Sequence, residues 1–235
     1  MIIKKVLLFL SILLATSCAE LQQVVNTLPS QTTMDPTMIA NGLRQALDFG
    51  IEKQVTKLTQ KDGFYKNQLV KIMLPEELKK VDQGLRDIGL GSLADEGIKA
   101  LNRAAEDAVK EATPIFVNAV KQITFTDAKN ILLGPDNAAT NYLEQRTNTA
   151  LYKKFEPVIK QSLSKVGADQ IWMNIITRYN SIPFVTKAHP DLTDYVTTEA
   201  LNGVYKMISV EEKDIRNNIS VRTTALLRQV FALQD

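Results

Sequence analysis

A chain of 235 residues with 28 basic and 26 acidic side chains, but one cysteine and one histidine, can bury a sizeable core and lacks the usual metal-binding and thiol side chains. A zinc centre of the ordinary kind needs several His or Cys ligands, and an internal disulfide needs a second cysteine, so both are excluded. A hydrophobic content of 45% with only ten Gly and eight Pro describes an ordered globule.

The first twenty residues set the expected location. Lys4 and Lys5 precede an apolar run from Val6 to Ala15. As a helix that run would reach about 15 Å, half of a ~30 Å hydrocarbon core, so it is too short to span. A basic end, a short apolar run and small residues read as a secretory signal over residues 1–17. The stretch "LLATSC" resembles the lipobox of bacterial lipoproteins, in which cleavage before the cysteine leaves Cys18 as an acylated N-terminus. Several acyl chains would make attachment to a membrane durable. Ala19, in place of an aspartate, resembles the outer-membrane class, so the expected site is the outer membrane facing the periplasm. An ordinary signal with an incidental cysteine is the alternative reading. Without residues 1–17 the balance is 26 basic against 26 acidic, so net charge favours neither nucleic acid nor an anionic lipid face as partner.

Residues 18–34 are rich in Gln, Thr, Ser and Asn and read as a tether starting at the lipidated cysteine, with a short helix around Leu21, Val24, Val25 and Leu28 as the alternative. Asp35-Pro36 then predicts an N-cap followed by proline at the first helical position. Ile39, Leu43, Leu47, Ile51, Val55 and Leu58 form one helical stripe. Pro75 opens a second helix through Leu78, Val81, Leu85 and Ile88, which Gly89 is placed to end. A third runs from Leu93 to Ala112 with small residues on its face, so it can pack closely. Thr113-Pro114 predicts a fourth helix, apolar on more than one side.

A short helix over Asp127–Leu133 should stop at Gly134-Pro135. Asp136 is placed to cap a long helix through Leu143, Leu151 and Phe155, with Pro157 forcing a kink or a new start. Gly167 closes that region, and Ile171, Trp172, Ile175 and Tyr179 form the next face. Residues 180–190 read as irregular. A helix from about Thr193 carries Val196, Ala200, Val204, Met207 and Ile215, and a last one carries Val221, Leu226, Leu227, Val230 and Phe231. No segment alternates with a period of two. The fold class is therefore all-α, a single multi-helix domain of eight to ten helices over residues 35–235.

Candidate chemistry is sparse. His189-Pro190-Asp191 resembles the loop triplet of J-domain co-chaperones, but no basic helix precedes it, and Asp191 reads better as the cap of the next helix. A Ser-His-Asp triad would have to use His189, and no GxSxG elbow accompanies any serine. Gly89 to Gly97 fits neither phosphate-loop spacing and reads as a turn between helices. Among the carboxylates, Asp95, Glu96, Glu106, Asp107 and Glu111 surround Arg103, with the outer face of a helix as the default placement. Trp172 and Tyr179 read as core. Glu211, Glu212, Arg216 and Arg222 fall near a helix corner, where buried ion pairs could fix how the last helix docks, or where a polar pocket could form.

Several runs together resemble one bacterial family: "GLRQAL", "LADEGIKALNRAAEDAV", "FVNAVKQITFTDAKNIL", "AATNYLEQRT", "DLTDYVTTEALNGVYKMISVEEKDIR" and "RTTALLRQVF". The family is Domain of Unknown Function 4197, and the resemblance covers most of Gly42 to Phe231. It implies one helical domain and an envelope location, and brings no catalytic residue, substrate or cofactor. The expected function is that of a non-enzymatic binding module moored to a membrane through Cys18, whose partner is an envelope protein or an apolar ligand. Neither a cofactor, a metal nor nucleic acid is expected. A carboxylate-based hydrolase of envelope glycans or lipids and an apolar-ligand carrier are the alternatives.

Overall fold

The computed structural model describes residues 35–76, 79–87, 89, 91–181, 183, 184, 187 and 191–235; side chains at a few further helical positions, Trp172 and Tyr179 among them, are not described. The signal, Cys18, the tether and His189 lie outside the described residues. Residues 36–235 form one compact helical unit, and among the described residues there is no strand.

The helices are α1 (Pro36–Thr59), α2 (Lys79–Asp87), α3 (Gly91–Val109), α4 (Ala112–Lys121), α5 (Phe125–Leu132), α6 (Ala138–Lys165), α7 (Ala168–Asn180), α8 (Leu192–Asn217) and α9 (Ala225–Phe231), with a 3-10 turn at Ile219–Val221 before α9. The long helices α6 and α8 pack together, α3 lies along α6, and α1 bridges α8, α9, α4 and α5. Ala104, Ala105 and Ala108 of α3 are fully buried, so this small-faced helix approaches its neighbours closely, as its sequence predicts. Leu143, Leu151 and Phe155 of α6 and Val196, Ala200 and Val204 of α8 complete the centre.

The helix boundaries follow local chemistry, with some departures from expectation. Gly89 adopts φ +79° and returns its N–H to Arg86, ending the α2 region as predicted. Gly167 does the same after α6 at φ +67°. Asp191 caps α8, its carboxylate accepting from the N–H groups of Thr193 and Asp194. Pro114 does not start α4 but sits third in it, where its missing N–H costs nothing. Nor does Pro157 break α6, which runs on to Lys165; Pro157 lies on the exposed side, where water can satisfy the carbonyl it leaves unpaired. The third helix ends at Val109, short of the expected Ala112, and Val221 belongs to the 3-10 turn, not to the last helix. Finally, α5 starts at Phe125, because Thr124 and Asp127 form a reciprocal capping box.

Candidate functional site

Glu211 and Glu212 are neighbours in sequence, so on a helix their side chains leave about 100° apart and meet different partners. Glu211 turns to α1, accepting from Lys53 Nζ at 2.6 Å and from Gln54 Nε2 at 2.6 Å. Glu212 turns to the start of α6. One of its oxygens accepts the N–H of Ala139 at 2.8 Å; the other accepts the N–H and the hydroxyl of Thr140, each at 2.8 Å. Those are the second and third residues of a helix whose first N–H groups have no partner within it. Asp136 was the expected cap, but the residue at that position is Asn137, and its side chain makes no capping bond. The cap comes instead from Glu212, more than seventy residues away in the chain.

Arg216, one turn on, completes a clamp. Its guanidinium pairs with Glu212 at 2.9 Å and donates to the carbonyls of Ile131 and Leu132 at 2.8 and 3.1 Å. Those are the last carbonyls of α5, again groups that their own helix cannot satisfy. The negative side chain therefore meets the positive end of α6 and the positive side chain meets the negative end of α5, the polarity that helix dipoles favour. Arg222 repeats the device on α8 itself: it is 1% exposed and donates to the carbonyls of Ile215 and Arg216 at 2.9 and 2.8 Å. It also pairs with Asp235 at 2.6 Å, and this bond holds the Asp235 carboxyl below the usual carboxylate range.

The four predicted residues are thus close in the fold but do not converge on one point. Glu212 and Arg216 meet; Glu211 faces α1; Arg222 closes the end of α8. A cavity of about 20 Å³ lies between Glu211, Glu212 and Arg216 and the apolar side chains of Leu47, Ile51 and Phe231. That is room for about one water molecule.

Glu106 departs from the outer-face expectation. It is 3% exposed, accepts the N–H groups of Phe64 at 3.1 Å, Asp62 at 3.3 Å and Tyr65 at 3.4 Å, and pairs with Arg103. Arg103 also reaches Asp62 at 2.5 Å, where the backbone has φ +70°. The neighbouring Asn102 holds both the N–H and the carbonyl of Ile72, each at 2.8 Å. Together they fasten the loop after α1 to α3. The signal was legible: Asn102 and Glu106 are four apart on the same stripe as Ile98, Ala105 and Val109, which is the buried side. Asp107 and Glu111 are exposed, as expected.

A larger recess lies elsewhere. An open cleft of about 830 Å³ is lined by Met73, Leu74 and Ile98 on its apolar side and by Asp82, Tyr195 and Glu199 on its polar side. It runs between α2 and the first turns of α8. Tyr195 fixes one wall by donating its hydroxyl to the carbonyl of Met73 at 2.8 Å. Nothing in the sequence patterns singled this cleft out, because its walls come from three separate segments. Among the described residues His, Cys, Asp and Glu do not gather into a metal-holding group, and no helix is long and apolar enough to cross a membrane.

A family model described as a protein of unknown function, DUF4197, matches residues 33–232. The chain belongs to this family. The match spans the nine helices of the described residues and both the clamp and the cleft, so these features lie within the DUF4197 domain. No curated protein and no solved structure matches the chain.

Proposed function

We propose that this DUF4197 protein is a lipid-anchored component of the bacterial cell envelope, held by acyl chains on Cys18, and that its helical domain binds a partner without transforming it. Residues 18–34 would serve as the tether and the outer membrane, on its periplasmic side, as the site. The basic and apolar N-terminus and the small residues before Cys18 support the anchoring half. One observation carries the binding half: Glu106, Glu212, Arg216 and Arg222 are committed to backbone groups at helix ends and loops, while an open cleft of ligand size lies apart from them among the described residues.

Proton transfer would need a carboxylate free to gain and lose a proton next to a substrate. Glu106 and Glu212 are instead buried and turned to backbone N–H groups and an arginine, not to an open recess. The carrier reading draws on the same cleft, because the cavity beside the clamp holds about 20 Å³ and an apolar ligand needs hundreds.

The test is to extract the full chain from its native membrane in mild detergent and measure intact and native masses. The expected result is a chain beginning at an acylated Cys18, with a co-purifying molecule lost when Tyr195 and Ile98 are replaced by Ala. An uncut N-terminus with a free thiol defeats the anchoring half. Turnover of an envelope glycan or lipid, abolished by a single carboxylate substitution, defeats the binding half.

A further inference from the structure

The charge of this chain is neutral only in sum. Residues 145–190 hold seven basic side chains (Arg146, Lys153, Lys154, Lys160, Lys165, Arg178, Lys187) against two acidic ones, Glu156 and Asp169. That is +5 in one segment; the rest of the chain after residue 17 carries −5. Within it the hairpin of the second half of α6 and α7, residues 152–180 turning at Gly167, holds Lys153, Lys154, Lys160, Lys165 and Arg178 against Glu156 and Asp169, or +3.

Burial along α6 shows where the charges point. Leu151, Phe155, Ile159 and Leu163 recur every four residues and are fully buried. Lys153, Lys154, Lys160 and Lys165 are exposed and fall on the opposite side of the same helix. No described acid forms an ion pair with any of the four. Glu156 shares their part of the helix, and Asp169 accepts from Ser164 at 2.6 Å with Lys160 near enough to help hold its carboxyl below the usual range.

This lysine face ends in apolar side chains that the fold leaves outside. Val166 and Ile171 flank the Gly167 turn and are each 60% exposed. Phe184, in the loop after α7, is wholly exposed. Val166 and Ile171 are aliphatic, without the aromatic face on which bases stack. A helix face of exposed lysines that runs in the chain into exposed aliphatic groups, Lys165 directly before Val166, suits a surface that is anionic at its boundary and apolar beneath, which is a bilayer containing acidic lipid.

We propose that the α6–α7 hairpin is a membrane-contacting surface that docks on anionic lipid, with Lys153, Lys160 and Lys165 supplying the attraction and Val166 and Ile171 entering the interface. Docking of this kind would set how the domain lies against the bilayer, which a flexible attachment alone cannot do. It does not need Cys18 to be acylated, so its fate is separate from that of the anchoring reading.

The test uses the full chain with Cys18→Ala, in which no acyl chain can attach and any introduced cysteine is unique. An environment-sensitive dye is placed at Val166→Cys, and in a second preparation at Lys57→Cys on α1. On vesicles of phosphatidylglycerol and phosphatidylcholine in equal parts, the dye at position 166 should shift to the blue and become shielded from an aqueous quencher. The dye at position 57 should not, and neither should respond on phosphatidylcholine alone. Replacing Lys153, Lys160 and Lys165 together by Gln should weaken the position-166 response roughly a hundredfold, at about fivefold per lysine. High salt should do the same to the parent, a check that needs no substitution. Equal quenching at position 166 on both vesicle types, or a triple variant that responds like the parent, overturns the proposal. So does a salt-sensitive response to duplex DNA with none to vesicles.

Discussion

The two halves of α6 treat charge in opposite ways. At its beginning, Glu212 from α8 reaches in and occupies the free N–H groups of Ala139 and Thr140, and Arg216 beside it closes the end of α5. Along its second half, four lysines point outward and meet no described acid. Both sets of charge are carried by helices, Glu212 and Arg216 by α8 and the lysines by α6. What differs is position relative to the apolar stripe: a charge on the stripe is forced to find hydrogen-bond partners within the protein, and one off the stripe remains in water. In this fold buried charge is therefore structural, and the exposed charge is what remains for contact with other molecules.

Breaking the clamp should have the largest effect. Glu212→Ala leaves the buried Arg216 without its carboxylate and orphans the N–H groups of Ala139 and Thr140, and should cost about 3–5 kcal/mol, read as a fall in the urea midpoint at unchanged slope; Arg216→Ala should cost less, because the Ile131 and Leu132 carbonyls keep the Gly134 N–H and Gln234 Nε2. Replacing both by apolar residues distinguishes a clamp from a simple ion pair. An isolated buried pair can often be exchanged for hydrophobic residues without loss. Here Glu212→Leu with Arg216→Met would still strand the N–H groups of Ala139 and Thr140 at the start of α6, so the double variant should recover little. Recovery to parental stability would show that the helix ends do not depend on the pair.

The next effect is steric. A methyl group added at Gly42 of α1 would sit 2.4 Å from Val230 Cγ2 of α9, and one at Gly203 of α8 would sit 2.7 Å from the Phe64 ring. Gly42→Ala should therefore loosen the short α9, and Gly203→Ala the loop that Glu106 holds, each by about 1–3 kcal/mol. Hydrogen exchange should localise the first change to residues 225–231 and the second to residues 60–72. Exchange rates matching the parent in both segments would mean that these contacts relax without cost.

How far this was legible depended on the range of the interaction. The apolar periods of α1, α3, α6 and α8 are local facts, and they mark the buried faces directly: Leu43, Leu47 and Ile51 read as one stripe and are one. Local caps were legible too, as at Asp191, although the Thr124–Asp127 box shows that a local signal can still be passed over. The cap of α6 was not legible, because the nearest candidates, Asp136 and Asn137, have the right chemistry and the true partner comes from another helix. Of the two outcomes expected at Pro157, a kink or a new start, the new start does not occur, since α6 runs on to Lys165 with Pro157 on its exposed side. Of the four predicted site residues, burial near a corner was readable, but their division among three partners was a property of the packed molecule.

A smaller effect tests the apolar centre through pH. The Tyr205 hydroxyl lies 2.8 Å from Thr147 Oγ1, whose own proton is given to the Leu143 carbonyl, so Tyr205 is the donor. Burial pushes its phenol from 10.0 up to about 12. A group whose folded value is raised contributes stability that is complete below the unfolded value and is lost as pH rises through the folded one. Stability should therefore fall between about pH 10 and about pH 12, by up to roughly 1.4 kcal/mol per pH unit from this residue. Tyr205→Phe should cost about 1 kcal/mol at neutral pH through the lost hydrogen bond and should flatten that alkaline slope. A slope unchanged in the variant would assign the alkaline loss to other groups.

The smallest expected effect sharpens the opening contrast most. Lys153→Ala, Lys154→Ala and Lys160→Ala lie on the exposed side of α6, where alanine is at least as good a helix former, so each should change stability by less than about 0.5 kcal/mol. The near-zero result matters because it comes from the helix whose other end should lose about 3–5 kcal/mol when Glu212 is removed. Thermal melts of the two sets, measured side by side, would give charge two roles within one helix. If instead the lysine variants melted well below the parent, the outer face of α6 would have partners in the free protein. The lysines would then belong to the fold, and the separation between structural and exposed charge would fail.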